Sequence, residues 1–479
     1  MTPAPISRRR ALVLGGLGAV GLVTGATGWI TSATAAPATF LPGASGAELV
    51  QPPVLDSRDG RLAVELTAAA GARLAGRDTS ALGFNGGSPG PTLRVRPGDE
   101  LAVRLTNRLQ QPTNLHTHGL RVSPRGNSDN PFVRVDPGES FDYLYKIPAD
   151  HPAGTHWYHP HHHGMVADQL YGGLVGGLIV DRGPDVPVTT DRLLLITDIT
   201  LDDAGAVVPA TATDRANGRE GQLVLVNGQH QPTITAAPGS TERWRIVNAC
   251  TSRFLALHLD GHQLDQMALD GSFFPRPAAH DTLVLAPGNR ADLLVRPRDT
   301  GRSALVTAAY DRGSMMGPGA TGTASTTLAT LVTTGPPRAA ASLPATLTAE
   351  APVTAPVTRK RTTDFRMGMG GGMGASIDGR SFDPNRDDQT IAFGSTEEWT
   401  VTNSSPLAHP FHIHVWPFTV TAASDGRTTT GTPQDVVIIP PRGWVRLRIP
   451  FTTVPGRSVY HCHILDHEDA GMMATVVVA

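Results

Sequence analysis

Ten of the chain's 18 histidines fall into four short motifs. These are His116-Thr117-His118, His159-Pro160-His161, His409-Pro410-Phe411-His412-Ile413-His414, and His461-Cys462-His463 with His467 close behind. Neutral imidazole is the commonest metal ligand among side chains. On an extended strand the two histidines of an H-x-H pair share one face and can serve one site; on a helix they would diverge. Two pairs lie near each end of the chain, so converging across one interface they would hold a metal cluster with eight nitrogens. Zinc is the competing occupant, but hydrolytic zinc sites usually add a nearby carboxylate, and no pair here is followed by H-x-D-H.

Cys462 discriminates between the metals. On a strand its thiol points away from the face that His461 and His463 share, so it belongs to a second site on the other side. His409, His467 and Met472 are available to complete that site. Two imidazoles, a thiolate and a weak thioether form the ligand set of a blue-copper electron-transfer centre. The His-Cys-His tripeptide would then link that centre covalently to the cluster. The other cysteine is Cys250, and a disulfide between the two is possible in principle. The placing of Cys462 between two histidines suggests other work.

These motifs need strands to present them, and the chain repeats a strand pattern three times. Pro97–Asn107 (PGDELAVRLTN), Pro238–Asn248 (PGSTERWRIVN) and Phe393–Asn403 (FGSTEEWTVTN) each carry Gly second, an apolar alternation, and Asn last. The copies begin 141 and 155 residues apart, a β-sandwich domain's length each. A second repeat, GTHWYHPH at Gly154–His161 and GRSVYHCH at Gly456–His463, has a histidine-free counterpart, GRSALVTA, at Gly301–Ala308. The expected architecture is all-β, with domains at 41–185, 186–340 and 341–479 and copper sites outside the middle one. The second boundary falls in the Pro/Ala-rich stretch from Gly335 to Val357.

Composition agrees with many short strands: 17% charged residues, 52 glycines and 40 prolines in 479 residues. A net charge of -2 gives no case for nucleic acid as a partner. Ser7-Arg8-Arg9-Arg10, a mildly apolar run from Ala11 to about Ile30, and Ala33-Thr34-Ala35-Ala36 read as a Tat-type export signal over 1–40. A membrane anchor is the alternative. The expected location is periplasmic, cell-surface or extracellular.

The combination HCHILDHEDAGMM, HPFHIH and WYHPHHHG resembles the three-domain multicopper oxidases, which include laccases and bacterial copper-efflux oxidases. The resemblance spans about Pro89 to Met473. It implies three cupredoxin-like Greek-key β-sandwiches and four copper ions. Type 1 copper would take His409, Cys462, His467 and axial Met472. Type 2 copper would take His116 and His412. The type 3 pair would take His118, His159, His161, His414, His461 and His463. Thr117 replaces a tryptophan common in the family, from which only a small packing change is expected. His156, His162 and His163 have no ligand counterpart and read as neighbours of the site or surface residues, and Met473 as a neighbour of the axial ligand. Glu468 and Asp129 match the family's proton-delivering acids, with an exposed loop position the alternative for Asp129.

The implied reaction couples one-electron oxidation of a donor to reduction of O2 to water. Other possibilities are a copper carrier and a non-enzymatic scaffold of the same fold, as among exported cell-division proteins. Phenols and aromatic amines are the expected donors and Cu(I) the alternative. Met315, Met316, Met367, Met369 and Met373 favour Cu(I), since soft sulfur suits it. Against it, Ser405 and Leu407 stand where copper-efflux oxidases carry an Asp and a Met, so an open, weakly charged approach to His409 is expected. The protein is expected to be a monomer.

Overall fold

Each Gly-led repeat becomes a strand: Glu100–Asn107, Glu242–Asn248 and Thr396–Asn403. Each runs parallel to an earlier strand (Arg61–Ala70, Thr190–Ile199, Arg359–Met367) and antiparallel to a later one (Ser140–Lys146, Arg290–Val295, Trp444–Pro450). The closing asparagines act alike in all three. Asn107, Asn248 and Asn403 are buried, and their amides donate to the carbonyls of Val135, Leu285 and Leu407. Their Oδ1 atoms accept from the N–H two residues on, of Leu109, Cys250 and Ser405, at 2.9, 3.1 and 2.9 Å. Only a short amide supplies both a donor and an acceptor there, which is why Asn ends each repeat.

The structure, a computed structural model, describes residues 42–479 apart from 44, 182–185, 315–323, 340, 341, 343, 352, 369–373 and 428–430. The expected export signal and Met315, Met316, Met369 and Met373 lie outside the described residues. Among the described residues no helix is long and apolar enough to cross a membrane.

The chain is all-β, and its sheets pair into three cupredoxin-like sandwiches. The first contains a four- and a five-stranded sheet, the second a seven- and a five-stranded sheet, the third two five-stranded sheets. Alternation drives this: Leu62, Val64, Leu66 and Ala68 of Arg61–Ala70 point inward and their neighbours outward. Each large aliphatic side chain so buried contributes about 1.5–3 kcal/mol. Each sandwich has its own apolar core. The segment Gly46–Leu49 bonds to the second sandwich through Gln231 and Thr233.

The histidine motifs sit on paired strands. His116–His118 pairs antiparallel with Gly154–His159, setting His116 opposite His159. His409–Ile413 pairs with Gly456–Cys462, setting His412 opposite His461 and Phe411 opposite Cys462. Three short helices, α1 (Val166–Gly172), α2 (Ala212–Asn217) and α3 (Leu465–Asp469), come one from each sandwich. Arg219 joins them, binding Asp168 of α1 at 2.6 Å and Asp466 of α3 at 2.6 Å. On the far side Arg121 grips Glu350 with both Nη atoms, at 2.5 and 2.7 Å.

Candidate metal centre

On one face of the Gly456–Cys462 strand, Cys462 Sγ lies 3.3 Å from His409 Nδ1 and 4.0 Å from His467 Nδ1. All three residues are fully buried, as is Met472, whose carbonyl accepts from the Cys462 N–H at 3.0 Å. His467 Nε2 donates to the carbonyl of Ala216 at 3.1 Å. A carbonyl can only accept, so the proton sits on Nε2 and the lone pair of Nδ1 faces Cys462. Burial above all, then Arg312, pushes His467 down to about 3, so the ring is neutral at physiological pH.

On the other face eight imidazoles from the first and third sandwiches converge. His161 Nε2 lies 3.1 Å from His461 Nε2, which lies 3.2 Å from His414 Nε2. His116 stacks on His414 at 3.8 Å between ring centroids, and His118 on His412 at 3.9 Å. His463 lies 5.0 Å from His118 and 6.0 Å from His159. His159, His412 and His461 each donate Nδ1–H to a backbone carbonyl, of Pro160, Asp435 and Cys462, at 2.8, 2.8 and 3.0 Å. Their Nε2 lone pairs therefore point inward. Burial pushes His159 down to about 3 and His461 to about 4.

This arrangement fits copper. Six of the eight rings carry a buried nitrogen without a hydrogen-bond partner: His116, His118, His159, His412, His414 and His463. Each such atom costs about 1–3 kcal/mol if left so. Metal ligation relieves that cost, and imidazole with thiolate suits copper. Among the described residues every group able to hold a metal comes from the first and third sandwiches.

Two acids touch the cluster. Glu468 is fully buried, with Oε1 3.4 Å from His161 Nε2 and Oε2 3.1 Å from His461 Nδ1. Burial, then Asp469, holds its carboxyl well above the usual range. Asp129 is 1% exposed, and both its oxygens lie 3.0 Å from His116 Nδ1. Thr117 donates to it through N–H at 2.9 Å and Oγ1 at 3.2 Å. The Thr at position 117 is thus more than a packing change: its hydroxyl holds Asp129. Burial pushes Asp129 up to about 7.

The open approach to His409 expected from Ser405 and Leu407 is absent among the described residues. Ser405 turns inward and its Oγ lies 2.7 Å from His409 Nε2, while Ala216 covers His467. The outer edges of both rings are therefore buried. Of the three other histidines in the first-domain loop, His156 is buried, whereas His162 and His163 are partly exposed. Both cysteines are free.

Sequence reasoning missed Arg290 and Asp435. Arg290, fully buried in the second sandwich, binds Asp435 at 2.6 and 2.8 Å and approaches His118 Nδ1 at 3.1 Å. Burial raises Asp435 to about 6, against the opposing pull of Arg290. Neither residue lies in a motif with metal-ligand spacing.

Three family models, each described as multicopper oxidase, match residues 66–185, 190–336 and 348–479. The chain is 28% identical over 417 residues to Multicopper oxidase mco of Staphylococcus aureus, covering 84% of this chain and 85% of that protein. It is 30% identical over 453 residues to Cell division protein FtsP of Dickeya dadantii, covering 89% and 91% respectively. A solved multicopper oxidase from Campylobacter jejuni, described as a metallo-oxidase, superposes with a TM-score of 0.83 at 29% identity, covering 92% of this chain and 98% of that one.

Proposed function

Because the chain belongs to the multicopper oxidase family, we propose that it is a laccase-like oxidase coupling oxidation of phenols and aromatic amines to reduction of O2 to water. The observation that carries this reading is the set of six buried imidazoles with an unpartnered nitrogen, beside a second site built on Cys462. A scaffold without copper would leave those nitrogens unsatisfied, and a copper carrier needs no eight-histidine cluster.

In this reading the type 1 site comprises His409, Cys462, His467 and Met472, and the type 2 site His116 and His412. His161, His414 and His461 would hold one type 3 ion, and His118, His159 and His463 the other. Bound copper supplies one-electron acceptance at the first site and four-electron reduction of O2 at the cluster. The chain's residues do the rest. Backbone carbonyls fix the tautomers of His159, His412, His461 and His467. Glu468 places its carboxyl between His161 and His461, in position to deliver protons to the cluster. Asp129 orients His116 and supplies a second acid. Covered histidine edges mean that a donor passes its electron through intervening atoms, such as the Ala216 peptide, without touching imidazole.

Oxidation of Cu(I) is the second reading. It is favoured by the structural likeness to a protein described as a metallo-oxidase and by partly buried Met367 beside the third core. The same proposal includes export through the Tat machinery and a monomeric state. The test is copper content and O2 consumption with a dimethoxyphenol and with Cu(I), in wild type and in a variant with Met367, Met369 and Met373 changed to Ser. Direct turnover of the phenol supports the laccase reading. Phenol turnover only with added copper, together with selective loss of Cu(I) turnover in the variant, overturns it.

A further inference from the structure

Arg312 lies beyond the strand Gly301–Ala308 of the second sandwich, outside every histidine motif. It is 3% exposed. Its two ends reach the outer supports of two different histidines. Its backbone carbonyl accepts from the N–H of Ala408 at 2.7 Å, the residue before His409. Its guanidinium forks in the other direction, Nη1 to the carbonyl of Ser252 at 2.9 Å and Nη2 to that of Gly218 at 2.8 Å. Gly218 ends α2, the helix whose Ala216 carbonyl caps His467. The loop has no slack there: a Cβ at Gly218 would lie 2.5 Å from Ile464 and 2.7 Å from Ser252 Oγ.

The charge of Arg312 is weakly compensated. Among the described residues, Glu220, 3.4 Å from Nη2, is the carboxylate within ion-pair distance, and it is shared with Arg253 at 3.3 Å. The Nε atom has no partner. A guanidinium stays protonated in proteins, and inside a protein its field is poorly screened. Nη2 binds Gly218, two residues past the Ala216 carbonyl that caps His467, so the charge sits behind that ring.

We propose that Arg312 is a positioning residue that also sets the potential of the type 1 site, its fork fixing the Gly218 turn behind His467 and its charge favouring the reduced ion. The sign follows from charge: reduction removes one positive charge from the site, so a fixed cation nearby makes the oxidised state less favourable. The proposal rests on the oxidase reading.

The test is redox titration of the blue band in the full-length, copper-loaded protein, with copper content measured first. Arg312→Gln is expected to shift the equilibrium with a one-electron mediator about ten-fold toward the oxidised ion, about 59 mV for a one-electron couple. Arg312→Lys keeps the charge and loses the fork. It is expected to hold most of the potential while its copper EPR spectrum changes. Glu220→Gln removes the counter-charge and is expected to move the potential upward, a sign that mere loosening of the structure would not produce. It also carries the test if Arg312→Gln fails to fold. A blue, copper-replete wild type whose Arg312→Gln variant keeps its potential, or whose Glu220→Gln variant moves downward, overturns the role of Arg312 alone. A wild type that takes up no copper overturns the oxidase reading and this proposal with it.

Discussion

Glu468 Oε2 lies 3.1 Å from Nδ1 of His461, and the carboxyl is fully buried. A buried carboxyl against two cluster histidines is placed to deliver protons there. Glu468→Gln keeps the shape and removes the transferable proton. It is expected to slow aerobic reoxidation about 10²–10⁴-fold, the usual range for a general acid, while anaerobic reduction of the type 1 site keeps its rate. Stopped-flow absorbance separates the two halves. Equal slowing of both, or of neither, rules out the relay.

Cys462 faces His409 and His467, while its neighbours face the cluster. Cys462→Ser is expected to remove the blue colour and the oxidase activity and to lower copper from about four to about three ions per chain, the ligand set of the blue site being the part removed. Absorbance and metal analysis check this. A serine variant that stays blue contradicts the assignment.

Asp129 accepts from Thr117 and lies against His116 Nδ1. Asp129→Asn is expected to weaken copper at the type 2 site about 10–100-fold, the usual effect of altering a ligand's hydrogen-bond partner. Dialysis against a graded chelator, followed by the EPR signal of that copper, measures it. The blue band should be unchanged. Retention equal to wild type would leave Asp129 a purely structural role.

His151 supplies a pH dependence away from the metals. Burial, then Arg121, pushes it down to about 4 from the usual 6.5. Between those values the unfolded chain binds a proton that the folded chain refuses, so stability falls as pH drops through that window. The cost is about 2 kcal/mol at pH 5 and nothing at pH 8. His151→Gln should therefore lose less stability than wild type between pH 8 and pH 5, measured by denaturant midpoints in the metal-free proteins. Parallel losses in the two proteins would refute this.

The sandwiches and their histidine pairs were legible because both are local patterns: alternation along a strand, and two rings one residue apart. The three asparagines were visible as a repeat, although their common task of closing a turn needed the fold. Arg290 was not legible, being 172 residues from the His118 it approaches and lying in a sandwich without metal-binding pairs. The closed edge of His467 was missed for the same reason, since its cover, Ala216, is 251 residues away. The open approach inferred from Ser405 failed because a hydroxyl, unlike the Asp it replaces, is short enough to fold back onto His409 Nε2.

The division of the cluster between first and third sandwiches has a consequence for synthesis. His116 and His118 emerge early, and His461 follows His116 by 345 residues. A chain holding only the first two sandwiches lacks Cys462 as well as His461 and His463. The histidine cluster can therefore form only once the third sandwich has followed the first.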